Sequence, residues 1–255
     1  MTPLIYDPWF YAAAIPAVLF VGLSKGGLGG LGQLGVPFLA LTMPPVQGAA
    51  IMLPILIAMD IVALWSWRGV RDNVTLKVML PGGMLGIFIG YLTAKMVSGD
   101  AVKLLVGLIG VWFVVGFYMN ERLKQGAAKQ PNAVAGGFWG LVAGFTSFVA
   151  HAGGAPYQVY TLPLKPDPKI FAGTSTVFFA IVNAVKLVPY FALGQFDTAN
   201  LAASAVLMPL APLATIAGVW IVKRMSADVF YPFMNLMLAL VSVKLVWDGA
   251  VGIWG

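Results

Sequence analysis

Six apolar runs dominate the chain, and each is long enough to cross the hydrocarbon core of a bilayer, which takes roughly 17–25 residues of helix. They cover residues 46–67, 76–94, 102–119, 170–192, 201–222 and 229–246. Hydrophobic residues make up 60% of the sequence and charged residues only 9%, whereas a soluble domain carries about 25% charged residues. We therefore predict an all-α polytopic membrane protein.

Glycines interrupt two further apolar regions. Residues 9–43 break at "KGGLGGLGQLG", and residues 133–163 break at "HAGGAPY". Unwound backbone at membrane depth must be buried in protein or line a wet cavity, because lipid offers no hydrogen-bond partners. Glycine also allows a ligand to approach the backbone closely. Each break is therefore a candidate substrate site, and tight helix packing is the alternative use of such glycines.

The sequence contains a long internal duplication. "PGGMLGIFIGYLTAKMVSGD" at 81–100 matches "PLAPLATIAGVWIVKRMSAD" at 209–228, and "GAAIMLPILIAMDIVALWSWRG" at 48–69 is similar to "GTSTVFFAIVNAVKLVPYFALG" at 173–194. We predict two repeats, each a broken segment followed by three transmembrane helices. The repeats cover residues 1–125 and 126–255.

The distribution of lysine and arginine favours one topology. If the two breaks are interrupted crossings, the basic residues divide seven against six between the two sides. If they are re-entrant hairpins, the division is ten against three. Cytoplasmic loops carry the excess of basic residues, so we predict hairpins, with both termini outside and the central linker inside. An odd number of crossings per repeat gives the repeats inverted topology, which is typical of secondary transporters.

Candidate substrate-binding residues are the glycines and polar residues of the two breaks, together with polar residues of the span 170–192. In the first break they are Lys25, Gly29, Gly30, Gly32 and Gln33. In the second break they are His151, Gly153, Gly154, Tyr157 and Gln158. In the span they are Thr174, Ser175 and Asn183. The helix after each break would point free N–H groups and a positive dipole end at an anion. Neither break contains an acidic residue that would favour a cation.

Asp60 and Lys186 are ionisable residues within two spans, at nearly equivalent places in the repeats. Such residues are functional candidates, and we expect them either to form an ion pair or to couple transport to a second ion. Lys25 has two interpretations, a substrate contact or a side chain that snorkels to the surface. His151 is either a hydrogen-bonded interior residue or a proton carrier.

The sequence offers no sign of an enzyme. It has one histidine and no cysteine, so it contains no metal-ligand cluster and no thiol chemistry. It also lacks a nucleotide-binding loop and a Ser–His–Asp set in soluble surroundings. We therefore expect no catalytic residue, no cofactor and no metal. The net charge of +6 lies in short loops, which suits membrane orientation better than nucleic-acid binding.

An ordered set of segments resembles a known family. The segments are "GGLGGLGQLGVPFLAL", "RGVRDN", "PGGMLGIFIG", "HAGGAPYQVYTLPL" and "GTSTVFFAIVNAVKLVPYFALGQFD". They resemble the sulfite exporter TauE/SafE family, also called the 4-toluene sulfonate uptake permease family, over nearly the whole chain. The matching motif residues are Gly29, Gly30, Gly32, Pro37, Gly153, Gly154, Pro156, Gly173, Thr174 and Ser175. The second break departs from the first because it is poorer in glycine.

The resemblance implies a carrier of sulfite, sulfoacetate or another organosulfonate in the bacterial inner membrane. We expect a secondary transporter with alternating access, and we favour export because a negative cell interior assists anion efflux. The alternatives are an anion channel of the same architecture, an uptake permease for sulfonates, and a structural membrane protein. The expected partners are the lipid bilayer and the anion. A coupling proton or sodium ion and a homodimer are left open, and nucleic acid is not expected.

Overall fold

The computed structural model describes residues 7–29, 31–39, 42–43, 45–93, 96–119, 128–192 and 198–254. Within these ranges the chain is helical and contains no strand, which confirms the predicted all-α class. The α-helices are α1 (Pro8–Lys25), α2 (Gly35–Leu39), α3 (Pro45–Ser66), α4 (Asn73–Thr93), α5 (Gly99–Met119), α6 (Ala133–Ala150), α7 (Gly154–Thr161), α8 (Pro168–Ala192), α9 (Thr198–Leu207), α10 (Leu210–Arg224) and α11 (Ala227–Trp254). Two short 3-10 helices, Leu31–Leu34 and Leu162–Leu164, precede α2 and follow α7.

The described helices are those of a multi-pass membrane protein. Six of them, α1, α4, α5, α6, α8 and α11, are long and apolar enough to cross a bilayer. Large apolar side chains such as Trp112, Val188 and Phe191 are more than two-thirds exposed on the outer surface. Polar residues such as Asn183 and Lys186 are instead buried in the interior. Exposed apolar side chains and buried polar ones are expected where the outer surface of a protein faces lipid.

The region predicted as one span over 201–222 is a bent pair of helices. Helix α9 ends at Leu207, α10 begins at Leu210, and their axes differ by 47°. Pro209 lies at the bend, and a proline has no amide hydrogen and clashes with the preceding turn of a helix. The equivalent proline of the duplication, Pro81, lies inside the continuous helix α4, so the bend also depends on the surroundings of Pro209.

The first glycine break folds the chain back along α1. Gly27 has a φ of +123°, a value that L side chains rarely adopt, so the turn requires glycine there. The carbonyl of Gly26 at the end of α1 accepts a hydrogen bond of 3.1 Å from the Trp67 indole. Beyond the turn, Gly35 lies against Val21, and the ring of Phe38 stacks on Phe20 with centroids 5.5 Å apart.

The second break also folds back. The Pro163 carbonyl accepts a hydrogen bond of 3.0 Å from the amide of Lys129, which precedes α6. The Tyr160 hydroxyl donates to the backbone carbonyl of Asn132 at 3.2 Å. The chain that follows the break therefore ends beside the start of the helix that preceded it.

Glycines bring helices α4 and α6 into backbone contact. A Cβ atom added to Gly86 would lie 2.1 Å from the carbonyl oxygen of Leu141, and one added to Gly144 would lie 2.0 Å from that of Gly83. Only glycine permits such an approach, and small residues at helix interfaces are how membrane helices gain van der Waals contact. The α1–α10 pair is built the same way, with Gly26 against Gly218.

The helix pairs between the two halves run in defined directions. Helices α1 and α10 are parallel, because Gly22 lies against Ala214 and Gly26 against Gly218. The α4–α6 pair is parallel by the same criterion. In the sequence duplication, α1 corresponds to α6 and α10 to α4, so these two contacts are reciprocal.

Equivalent helices from the two halves pack antiparallel. In the α5–α11 pair, Leu104 lies against Gly249 and Gly107 against Val246. In the α3–α8 pair, Asn183 bonds to Asp60, whereas Gly173 lies beyond the end of α3 against residue 70. In both the α3–α8 and the α5–α11 pair, a helix of the first half thus packs antiparallel against its sequence counterpart in the second half.

Helix contact through glycine gives a matched pair of stability variants on α6. Gly144→Ala should lower the free energy of unfolding by about 1–3 kcal/mol, because its methyl group collides with backbone. Gly137→Ala has no atom within 4 Å of the added carbon and should be neutral or stabilising by about 0.5–1 kcal/mol. Thermal unfolding in detergent measures both. Equal melting temperatures for the two variants would contradict the packing described.

Candidate functional site

The two breaks meet at a central cavity of about 120 Å³. At the tip of the first break, a Cβ atom added to Gly29 would lie 3.3 Å from the side-chain nitrogen of Gln158 on α7. Helices α3 and α8 complete the walls of the cavity. Its lining residues are Val21, Ser24, Lys25, Gly29, Gly32, Met52, Leu56, Ser147, His151, Gly153, Gly154, Tyr157, Gln158, Phe171, Ser175, Thr176, Phe179, Asn183 and Lys186.

Most of the candidate residues from the sequence lie on this cavity. Those that line it are Lys25, Gly29, Gly32, His151, Gly153, Gly154, Tyr157, Gln158, Ser175, Asn183 and Lys186. Gly30 and the side chains of Gln33 and Pro37 lie outside the described residues. The structure therefore brings residues of the first break around one space with residues of the second break and α8, which lie more than a hundred positions further along the chain.

Lys25, Asp60 and Asn183 form a buried polar triad. The Lys25 ammonium lies 2.5 Å from the Asp60 carboxylate, and the two side chains are 12% and 5% exposed. The Asn183 amide donates to the other carboxylate oxygen at 2.7 Å. Lys25 is the last residue of α1, where a positive charge is also favoured by the helix dipole. The triad joins α1 and α3 of the first half to α8 of the second.

The predicted ion pair between Asp60 and Lys186 is wrong, because Lys25 reaches Asp60 from the end of α1. Lys25 is therefore not a side chain that snorkels to the surface. Its positive charge is neutralised by a carboxylate that is itself buried. Whether this pair couples transport to an ion stays a prediction.

Lys186 is the lysine of the cavity without a carboxylate partner. Its side chain is 1% exposed, and its ammonium donates to the carbonyl and hydroxyl oxygens of Ser147 at 3.3 and 3.2 Å. Among the described residues no Asp or Glu lies within ion-pair distance of it. With the Lys25–Asp60 pair neutral, a protonated Lys186 gives the cavity lining one net positive charge, which suits a small anion.

Three buried polar atoms on the cavity have no hydrogen-bond partner in the described part of the chain. They are the Tyr157 hydroxyl, the Gln158 side-chain oxygen and the Thr176 hydroxyl. A buried polar group left unpaired costs about 1–3 kcal/mol, so these atoms are ready to bond a ligand. Thr176 belongs to the polar run Thr174–Thr176, which interrupts the apolar span 170–192 and for which the sequence suggests either a site role or hydrogen bonds to backbone carbonyls. It lines the cavity two helical turns before Asn183.

His151 lies at the turn between α6 and α7 in a left-handed conformation, with φ of +52°. A non-glycine residue in this region is uncommon, and such residues cluster at functional sites. The imidazole Nε2 is 2.8 Å from the Tyr190 hydroxyl. His151 is thus a hydrogen-bonded interior residue at the cavity wall, and a role as proton carrier is untested.

The two breaks continue into helices of different length. The second continues into an eight-residue helix, α7, with Gly153 at its N-terminal cap. The first continues into a 3-10 turn and the five-residue α2. The helix dipole grows with aligned peptide units, so α7 offers the stronger positive end. This difference between the two helices agrees with the sequence, in which the second break contains fewer glycines than the first.

Thr174 does not line the central cavity. Its hydroxyl donates to the Ile170 carbonyl at 2.6 Å and accepts a hydrogen bond from the Asp72 amide at 2.8 Å. It lines a second cavity of about 210 Å³ next to Lys129. Successive residues of a helix point about 100° apart, which explains why Thr174 and Ser175 face different spaces.

Comparison with known proteins identifies the relationship. The sequence model of the family described as "Sulfite exporter TauE/SafE" matches residues 14–245, nearly the whole chain. The chain belongs to the sulfite exporter TauE/SafE family. Membership in this family of membrane transporters suggests transport of sulfite or a related anion. The comparisons with curated proteins and with solved structures gave no match.

The buried triad predicts a non-additive double-mutant cycle. Lys25→Met and Asp60→Asn should each lower the free energy of unfolding by roughly 3–5 kcal/mol, since each leaves one buried charge unpaired. The double variant should lose less than the sum, because it removes both charges. Thermal unfolding in detergent provides the measurement.

The Lys244–Asp248 pair of α11 is the matched control, because its side chains are 42% and 23% exposed. Lys244→Met should cost less than about 1 kcal/mol. Additive effects of the Lys25 and Asp60 substitutions would show that the two charges do not stabilise each other.

Proposed function

We propose that this TauE/SafE family member is a secondary transporter that binds a small sulfur-containing anion, such as sulfite, sulfoacetate or another organosulfonate, in the central cavity. The observation that carries the proposal is Lys186, a buried ammonium without a carboxylate partner among the described residues, at the place where the two breaks meet. An anion in the cavity supplies the missing counter-charge. A charge-assisted hydrogen bond between the ammonium and a sulfite or sulfonate oxygen is also about twice as strong as a neutral one.

The other lining residues divide into donors and scaffold. Tyr157 and Thr176 offer hydroxyl groups that lack partners in the described protein, and such donors suit the oxygen atoms of an oxyanion. The N-terminus of α7, with Gly153 and Gly154 at the cavity, adds backbone N–H groups. Lys25 holds Asp60 and so positions the tip of the first break. Its role in the proposed mechanism is to keep the cavity in shape rather than to bind substrate.

The transport mechanism is alternating access between two inverted repeats, with the breaks as re-entrant hairpins. The helix directions support this arrangement. Hairpins make α3 run opposite to α8 and α5 opposite to α11, whereas interrupted crossings would make both pairs parallel. The antiparallel contacts Leu104–Gly249 and Gly107–Val246 support a hairpin at the second break, and the parallel contacts between α1 and α10 support one at the first. Export is the favoured direction, since the membrane potential drives anions out of a negative interior.

Substitution of Lys186 tests the binding site. Lys186→Met should weaken anion binding roughly thirtyfold or more, because loss of a buried charge partner costs about 2 kcal/mol or more. Lys169→Met is the control on the same helix, because Lys169 is exposed and lines neither cavity. The measurement is the thermal stabilisation of each purified variant by sulfite, sulfoacetate, taurine, isethionate, aryl sulfonates and carboxylate analogues.

Stabilisation of Lys186→Met by the same anions at the same concentrations would refute the role of Lys186. Absence of stabilisation of the wild-type protein by any sulfur anion would refute the proposed substrate class.

Cysteine labelling tests the topology independently of substrate. The chain has no native cysteine, so Thr42→Cys and Gln130→Cys can each be labelled alone with an impermeant thiol reagent. The hairpin arrangement predicts that Thr42→Cys reacts from the outside and Gln130→Cys from the cytoplasm. Labelling of both from the cytoplasmic side would rule out a hairpin at the first break.

A further inference from the structure

The central cavity and the second cavity are separated by two aromatic side chains. Among the described residues, Tyr157 and Phe171 line both spaces, and no other lining residue is shared. Their rings lie edge to face, with centroids 5.9 Å apart and planes at 71°. Both side chains are 1% exposed. The two rings therefore form the partition between the cavities.

The second cavity reaches the surface at the segment before α6. Residues 128–131 line it and are exposed, and its inner wall includes Thr174 and Leu164. We call this space the vestibule. It lies on the side of the linker between the halves, which the distribution of basic residues assigns to the cytoplasm.

We propose that Tyr157 and Phe171 form a gate through which the anion passes between the vestibule and the central cavity. The inference rests on the proposed function for the identity of what passes, but the partition itself is independent of transport. A gate at this position places Thr174, a motif residue of the vestibule, and Ser175, a residue of the central cavity, on one route. The vestibule is then the substrate's first contact with the protein on the cytoplasmic side.

Tyr157 has the properties that a gate residue needs. Its hydroxyl is buried without a partner in the described protein, so the closed position is not held by a hydrogen bond. It sits on the short helix α7, between the turn at Gly153 and a 3-10 helix, and its ring contacts those of Phe171, Phe178 and Phe179 rather than polar groups. An anion in the passage would accept a hydrogen bond from the hydroxyl, and the ring edges carry partial positive charge.

Two cysteine reporters distinguish the chambers. Ser175→Cys places a thiol in the central cavity, and Leu164→Cys places one in the vestibule; both positions are partly exposed. An anionic, membrane-impermeant methanethiosulfonate is added to sealed vesicles on the side that labels Leu164→Cys. In the otherwise unchanged protein, Ser175→Cys should react slowly from that side. Phe171→Ala or Tyr157→Ala should raise its rate roughly tenfold or more, since labelling no longer awaits a rare opening.

Phe178→Ala is the matched control. The Phe178 ring packs 5.2 Å from that of Tyr157 and is fully buried, but it lines neither cavity. Its loss loosens the same aromatic cluster without removing the partition, so Ser175→Cys should stay slow. Leu164→Cys should react quickly in every background, which also shows that each variant is folded and correctly oriented.

An unchanged rate for Ser175→Cys in both gate variants would overturn the proposal, as would an equal increase in Phe178→Ala. Failure of the proposed function would be seen separately. In that case the gate variants would still speed labelling of Ser175→Cys, but no sulfur anion would stabilise the wild-type protein.

Discussion

The salt bridge between Lys25 and Asp60 determines how the centre of this protein is built. An isolated charge within a membrane protein is expensive, and a buried pair is tolerated only when further hydrogen bonds complete it. Asn183 supplies that bond from the opposite half of the chain. The tip of the first break is thereby fixed to α3 and α8, and the charge of Lys25 is cancelled. Lys186, when protonated, then gives the cavity lining a net positive charge.

Glycine contacts hold the walls around this centre. The α4–α6 and α1–α10 pairs approach so closely that a single methyl group would collide with backbone at Gly144 or Gly26. Each of these pairs joins one half of the chain to the other. Residues of both halves line the cavity.

Much of this organisation could be predicted from the sequence because it follows from local rules. The apolar runs at 76–94, 102–119, 170–192 and 229–246 correspond to α4, α5, α8 and α11. The run at 46–67 corresponds to α3, whose apolar part Ala50–Ser66 is shorter than a full span, whereas α1 and α6 of the broken segments are long enough to cross. The glycine breaks located the turns that follow α1 and α6. Ser175, Asn183 and Lys186 of the α8 wall fall on one helical face, so residue type and spacing together indicate them. The bend at Pro209 was missed, although proline in an apolar run carries a known cost.

Other features depend on how helices are set against one another. Thr174 and Ser175 are adjacent in sequence, and the rotation of α8 about its axis decides which one faces the cavity. Asp60 pairs with Lys25 at the end of α1 rather than with Lys186 of α8, and the packing of α1 against α3 decides that choice. Such choices lie in tertiary packing, where periodicity and composition carry no information.

Counterflow in proteoliposomes tests the central claim most directly. Vesicles that contain the purified protein and are loaded with unlabelled sulfite are diluted into a trace of radiolabelled sulfite, with the other sulfur anions tested in the same way. A carrier with a central site predicts transient, saturable accumulation of label that empty vesicles do not show. Absence of accumulation with every sulfur anion, or currents of single-channel size, would contradict the account.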